Sequence, residues 1–474
     1  MLFNSFWYLI FLPSVVLLFW HCPQRLRTAL LVVASYIFYL SWKPIYGLLI
    51  FGMTLANYLI GLALEKYSAQ KKAILIGGVA VNLLLLAYFK YAYFTWGIAQ
   101  WASGGRLPNL AIEIILPLGI SFFAFEFIHY IAEVYKGSKP VRGFLEFALF
   151  ASFFPTQIAG PIKRYTDFIP QLSKNMRFDI SMLDDGLAEI VFGMFKKVVI
   201  ADNLAAVVQS AFSRPDLLTG TDMWLATYAF AFQIYFDFSG YTDIARGSAR
   251  LLGFSVPPNF NLPYLASSVA DFWHRWHMSL STWLRDYLFI PLGGSRGSKW
   301  FSWRNLMLTM VLGGLWHGAS MHYVIWGAYQ GIMLILHKEW KTITDRIPSV
   351  VSFKQSKVGR ALAIVLTFHL VCIGWVFFRA ETVASSLEIL RKLFFIDGWQ
   401  SFGLTIVNTT DPALFMVLPF LTALLFAGQL FALAQTKRGW TLPRPLQAVY
   451  MAALIGLVLV FSPDASPKFI YFQF

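Results

Sequence analysis

Two imidazoles in this chain stand where the surrounding sequence offers little other chemistry. His317 lies in GGLWHGASMHYVIWG, residues 313–327, and His277 in DFWHRWHMSLSTWLRDYLFIPLGG, residues 271–294. An imidazole has an unperturbed pKa near ~6.5, so it is the side chain best suited to take and return a proton at neutral pH. From Asn305 to Leu336 there is no residue with a permanent charge, and a buried imidazole there must find partners, because an unpaired polar group costs a few kcal/mol. Read from residue types alone, a hydrogen-bonded core histidine and a general base both stay open for His317. Its glycines Gly313, Gly314 and Gly318 allow the backbone to bend or to approach another helix closely. His322, five residues further on, reads as a rim or packing residue.

Around His277, Asp271 and Arg275 form an i,i+4 pair if the segment is helical, and His274, His277 and Ser281 share a face. Zinc would need a third protein ligand. No cysteine is near and the carboxylates are poorly placed, so no metal is expected. His274 reads as an interfacial hydrogen-bonding residue. The pattern predicts a helix that lies in, or dips from, the membrane surface.

These residues must be positioned by a membrane fold. Of 474 residues 58% are hydrophobic and only 13% charged, with mean hydropathy +0.60, too little charge to cover a water-facing surface. Uncharged runs cover 1–20, 44–64, 73–89 and 413–435, against the ~20 residues of helix that a hydrocarbon core needs. Further spans are predicted near 28–42, 112–133, 186–212, 222–238, 305–320, 323–337, 361–378 and 445–462. The count is roughly 11–13, with shorter runs re-entrant or interfacial. The first run is expected to stay as a transmembrane helix, since it lacks a basic start and a small-residue cleavage site. Cys22 and Cys372 suggest no disulfide framework. The net charge of +14 sits in short loops between spans, which points to a positive-inside bias rather than nucleic acid and places the N-terminus outside.

Two further regions break the pattern of simple spans. In FFPTQIAGPIKRYTDF, residues 153–168, Pro155 and Pro161 are incompatible with a regular helix interior. A re-entrant turn and a kinked helix ending at the surface both stay open. In YFDFSGYTDIARGSAR, residues 235–250, Asp237 and Asp243 follow an aromatic span. An acid there is expensive unless paired or wet, and the simplest pairing sets Asp243 against Arg246.

At this point longer motifs resemble one family. WHMSLSTWLRDYLFIPLGG and GGLWHGAS are similar to the signature of the membrane-bound O-acyltransferases. LLVVASYIFYLSW, LPLGISFFAFEFIHYIAEVYKG, FFPTQIAGPI, FGMFKKVVIADNLA, QIYFDFSGYTDIA and GWVFFRAE extend the likeness over nearly the whole chain, toward the bacterial alginate O-acetylation branch. The resemblance implies an all-α polytopic fold: one membrane domain over 1–474, with a catalytic core in 130–380. In it, a ring of tilted helices surrounds broken or re-entrant ones and a central tunnel. It implies catalytic roles for His317 and His277, with Trp316, Ser281, His322 and Asp237 as candidates along the tunnel. It also implies a bacterial inner-membrane protein, with no permanently bound cofactor, that takes acetyl-CoA as donor for O-acetylation of an exported polysaccharide through a periplasmic acetyltransferase partner. Arg275, Arg285, Arg296 and Lys299 flank the expected cytoplasmic entrance, where the donor's phosphates need cations, although basic residues belong on that side in any case. The outer stretch KYAYFTWGIAQW, residues 90–101, is one candidate for partner docking. The chain departs from the family pattern at His274, where relatives carry arginine, and at Gln330, where many carry histidine. A transporter or channel is the rival reading. It predicts paired intramembrane carboxylates and repeat symmetry. A non-catalytic scaffold of a polysaccharide secretion complex is a third.

Overall fold

A computed structural model describes residues 1, 3–110, 113–174, 176–394, 423, 443–463 and 469–470. The expected span at 413–435 lies almost entirely outside the described residues. Helices account for the regular structure, and the described residues contain no strand. In chain order they are α1 (Phe6–His21), α2 (Gln24–Leu40), α3 (Ile45–Lys66), α4 (Lys71–Leu86), α5 (Ala92–Ala102), α6 (Ile120–Tyr135), α7 (Phe144–Ser152), α8 (Tyr165–Leu172), α9 (Ile180–Met194) and α10 (Asp202–Ser213). Then come α11 (Gly220–Leu251), α12 (Val269–Arg275), α13 (Met278–Leu284), α14 (Lys299–His317), α15 (Met321–Thr344), α16 (Pro348–Gln355), α17 (Lys357–Arg379), α18 (Val383–Phe394) and α19 (Arg444–Val460). Ile45–Lys66, Ser68–Ala102 and Lys357–Arg379 are each long and apolar enough to cross a membrane.

Local signals set several helix starts. Ser298 accepts from the Phe301 N–H and Ser356 from the Gly359 N–H, which satisfies donors that every helix start leaves open. A reciprocal Thr219–Asp222 capping box starts α11. This helix runs for 32 residues, well beyond the apolar stretch expected at 222–238. Asp237 and Asp243 therefore lie inside a helix rather than after one. Buried ion pairs with the neighbouring chain make this continuation possible. Lys197 reaches Asp237 at 2.7 Å and Asp202 at 2.6 Å, and Lys196 reaches Asp243 at 2.6 Å. Arg246 instead pairs with Glu189 at 3.1 Å, so the expected Asp243–Arg246 pair is not formed. The lysines sit in a π-helical turn, Phe195–Ala201, which divides the expected single span at 186–212 into α9 and α10.

Helix α11 packs on α9, α10, α17 and α18, while α14 pairs with α15 and α15 with α17. Gly314 and Gly327 allow that α14–α15 approach. A Cβ on Gly314 would lie 3.0 Å from the Gly327 Cα, and one on Gly327 would lie 3.0 Å from the Met310 carbonyl carbon. On the N-terminal side α3, α4 and α6 pack together, tied by reciprocal amide bonds between buried Asn57 and Asn82 at 3.1 and 2.8 Å. Between α7 and α8, residues 153–163 are non-helical and wholly buried. This is a broken segment enclosed by protein, a setting in which irregular backbone is tolerated at membrane depth.

Candidate functional site

The segment expected as one surface helix is divided at His277. Helix α12 ends at Arg275, α13 begins at Met278, and His277 between them adopts φ +42°, in the left-handed region. A non-glycine residue there carries strain of about 1–2 kcal/mol per residue, which is retained only where the surroundings enforce it. Asn259, fully buried, does the enforcing. Its carbonyl accepts from the Met278 N–H at 2.9 Å, and its side-chain oxygen accepts from the Ser279 hydroxyl at 2.6 Å and N–H at 3.3 Å. The Ser279 hydroxyl in turn accepts from the Ile162 N–H at 3.1 Å, which ties the turn to the broken segment after α7. Ser281 donates its hydroxyl to the Trp276 carbonyl at 3.1 Å.

This break turns the His277 ring inward. The ring is fully buried, lies edge-on to Phe238 at 4.6 Å, and comes within 6.2 Å of the Trp316 ring. Trp316 immediately precedes His317, whose ring is 4.8 Å away. The indole therefore joins the two candidate histidines at one place. Trp316 is itself held in a stack: Phe125 of α6 lies parallel to it at 5.2 Å and parallel to Trp283 of α13 at 3.9 Å. The Trp283 indole N–H donates to the Phe125 carbonyl at 3.0 Å. Around His317 stand Trp326 at 5.1 Å and Phe378 at 5.2 Å. The buried indole N–H groups of Trp316 and Trp326 have no acceptor among the described residues. Nearby Trp375, by contrast, donates to the Tyr264 hydroxyl at 3.2 Å.

His317 is the last residue of α14, and Gly318 continues in extended backbone. The carbonyls at this helix end are capped from far away in sequence. Tyr91 donates its hydroxyl to the Leu315 carbonyl at 2.9 Å, and Lys90 donates its ammonium to the Trp316 and His317 carbonyls at 2.5 and 3.1 Å. Both donors belong to a π-helical turn, Ala87–Tyr91, between α4 and α5.

The remaining candidate residues divide by location. His322 is buried and paired through Nδ1 with the Phe377 carbonyl at 3.0 Å, which agrees with a packing role. Asp237 pairs with Lys197 and accepts from the Ile470 N–H at 2.8 Å, so its carboxylate is engaged in a structural network. Arg275 pairs with Asp271 at 2.8 Å, as its spacing predicts, and Arg285 with Asp286 at 2.8 Å. Arg296 is exposed, and Lys299 pairs with Glu339 at 2.9 Å. Lys299 and His317 are opposite ends of one 19-residue helix, about 27 Å apart at the helical rise of ~1.5 Å per residue. Lys299 thus stands at the end of α14 remote from His317. His274 is exposed and Gln330 buried.

Lys163 and Arg164 approach the His277 turn from the segment after α7. They line a cavity of about 180 Å³ together with Met278, Ser279 and Thr282. Lys163 is neutralised by Glu126 at 2.8 Å, and Arg164 by Asp286. Partial burial alone would push the Asp286 carboxyl up. Hydrogen bonds from Arg285 and Arg164 outweigh it and hold the group below the usual carboxylate range. Arg164 thus has its charge anchored beside the cavity mouth.

Sequence reasoning missed Lys90, Asn259, Phe125 and Trp326. For Lys90 a signal was present, as it is a lone cation in a run otherwise uncharged from Ala73 to Gly105. Asn259 gave none, because its role depends on the chain returning to residues 278–279.

The chain is 42% identical over 415 residues to the probable alginate O-acetylase AlgI of Pseudomonas aeruginosa, covering 86% of this chain and 77% of that one. It is 38% identical to the protein of the same description from Pseudomonas putida, over 99% of both chains. It is 36% identical to the peptidoglycan O-acetyltransferase of Helicobacter pylori, over 78% of this chain and 74% of the relative. The sequence profile of the membrane-bound O-acyltransferases matches residues 78–377, a range that contains Lys90, His277 and His317. The chain is a member of the membrane-bound O-acyltransferase family, and an acyltransferase.

Proposed function

We propose that this acyltransferase takes acetyl from cytoplasmic acetyl-CoA and passes it across the bacterial inner membrane for O-acetylation of an exported polysaccharide. The observation that carries the proposal is the convergence of His277 and His317 on Trp316. It unites a proton carrier with a second imidazole held in strained backbone. The relatives' names, alginate O-acetylase and peptidoglycan O-acetyltransferase, support a polysaccharide as final acceptor. The donor end is supported by the cavity at Lys163, Arg164 and Ser279, which opens beside the His277 turn.

His317 acts as general base. It removes the proton from an accepting hydroxyl, on a sugar or on a nucleophilic serine of a periplasmic acetyltransferase. The hydroxyl oxygen attacks the thioester carbonyl carbon, the C–S bond breaks, and the CoA thiolate recovers the proton from the imidazolium. His277 orients the thioester and polarises its carbonyl. A donor of this kind lowers the barrier by about 2.7–4 kcal/mol. The indole N–H groups of Trp316 and Trp326 offer additional donors toward the same oxygen. CoA is charged and does not cross lipid, whereas acetyl passed within protein does, so the reaction doubles as translocation.

Replacing His317 with alanine and measuring acetyl esters on the polymer, with protein level as control, tests this reading. Loss of the esters at normal protein level is expected, and unchanged acetylation overturns it. Labelled acetyl-CoA supplied to inside-out vesicles separates a transferase from a scaffold: label must leave CoA for an ester.

A further inference from the structure

Lys90 lies inside a helical segment, Ser68–Ala102, that is apolar and long enough to span a membrane. A cation there is costly unless it faces the protein interior and finds acceptors. Its acceptors are the carbonyls of Trp316 and His317, at 2.5 and 3.1 Å, and its charge also lies 5.8 Å from the centroid of the Trp316 ring. Next to it, the Tyr91 hydroxyl takes the carbonyl of Leu315 at 2.9 Å.

Three consecutive carbonyls at one helix end are thus held by two consecutive side chains more than 220 residues away, at separations of 224 to 227. The last carbonyls of a helix have no partner within it and carry the negative end of its dipole, so an ammonium placed there is doubly matched. The π-helical turn is part of the device, since an over-wide turn re-aims side chains relative to a regular helix, and such turns recur at functional sites.

Gly318 is extended, and α15 begins only at Met321. We propose that Lys90 and Tyr91 form a clamp on this helix end that fixes the direction of the His317 ring, and are positioning residues for acyl transfer. The proposal rests on the reading of His317 as general base. The bonds of both side chains go to backbone carbonyls of α14. Their effect is on how often the imidazole stands where the proton must leave, and misplacement of a catalytic group by about 1 Å costs as much as 100-fold in rate.

The test measures initial rates of transfer from labelled acetyl-CoA in inside-out vesicles carrying the full chain, across a range of donor concentrations, for Lys90→Met, Lys90→Arg, Tyr91→Phe and His317→Ala. Lys90→Met is expected to lower kcat roughly 10- to 100-fold with donor KM within about twofold, and Lys90→Arg to recover most of the rate. In a His317→Ala background Lys90→Met is expected to have no further effect on the residual rate, because a clamp with nothing to aim is silent. If Lys90→Met does not accumulate, Tyr91→Phe decides. It removes one bond and no charge, and a fall in kcat of at least about threefold with unchanged KM is expected. A kcat within twofold of wild type for Lys90→Met, or for Tyr91→Phe where that variant decides, overturns the clamp while leaving the base intact. So does a Lys90→Arg variant as slow as Lys90→Met. If His317→Ala keeps the wild-type rate, the base reading fails, and the clamp with it.

Discussion

The imidazole of His277 lies 6.2 Å from the indole of Trp316, ring centre to ring centre, although 39 residues separate them in sequence. The backbone breaks beside both rings: His277 takes the left-handed φ of +42°, and α14 ends one residue after Trp316.

The strain at His277 separates shape from chemistry. His277→Gly keeps the turn, because glycine adopts positive φ at no steric cost, and removes the imidazole. Thermal melting in detergent is expected to match or exceed wild type, while acetyl transfer falls by about 100-fold or more. A variant that transfers acetyl at the wild-type rate would show that His277 serves the turn alone.

Asn259 holds that turn through three accepted hydrogen bonds, two of them on its side chain. Asn259→Ala leaves the Ser279 N–H without its acceptor in a buried setting. The expected loss of stability is about 1–3 kcal/mol, together with reduced transfer. Chemical denaturation followed by tryptophan fluorescence measures the first, and vesicle transfer the second.

Trp326 and Trp375 are stacked neighbours, 6.0 Å apart, that differ in whether the indole N–H is used. Trp326→Phe keeps the ring packed on His317 and removes a donor with no acceptor among the described residues. It is expected to slow transfer by about tenfold, the equivalent of ~1.4 kcal/mol, with protein stability little changed. Trp375→Phe breaks a bond to Tyr264 and is expected to do the reverse. Melting temperature and kcat, measured on both variants, distinguish the roles.

Lys197 bridges Asp237 and Asp202 in a buried cluster. Lys197→Met removes the cation that the two buried carboxylates share, a change of the kind that costs about 3–5 kcal/mol. Protein level in the membrane is expected to collapse. Adding Asp237→Asn and Asp202→Asn to the same chain is expected to restore part of it. Were Asp237 a substrate residue, Asp237→Asn alone would raise donor or acceptor KM at normal protein level; the structure predicts an unchanged KM.

Much of this molecule was legible before folding because its determinants are local. A run such as Ala73–Phe89 is apolar by composition and must be helical in lipid, since its backbone has no other source of hydrogen bonds. The prolines at 155 and 161 each cost a helix a backbone bond, and the segment there is broken. The Asp271–Arg275 pair follows from helical spacing and forms as expected. The motifs at His277 and His317 named the histidines by resemblance, while the residues alone left their roles open.

Tertiary structure decided what depends on distance between remote segments. Asp243 took Lys196 rather than Arg246, because α9 and its π-helical turn offer a cation alongside α11. Lys163 and Arg164 line the cavity beside the His277 turn although more than 110 residues separate them from it in sequence. The same holds for Lys90: its isolation in an apolar run marked it as costly, but only folding showed that its acceptors are the carbonyls of Trp316 and His317. Composition and periodicity determine whether a segment is helical and apolar, because those preferences act within a few residues. Which side chains meet across more than 200 positions is determined by packing, which no local pattern encodes.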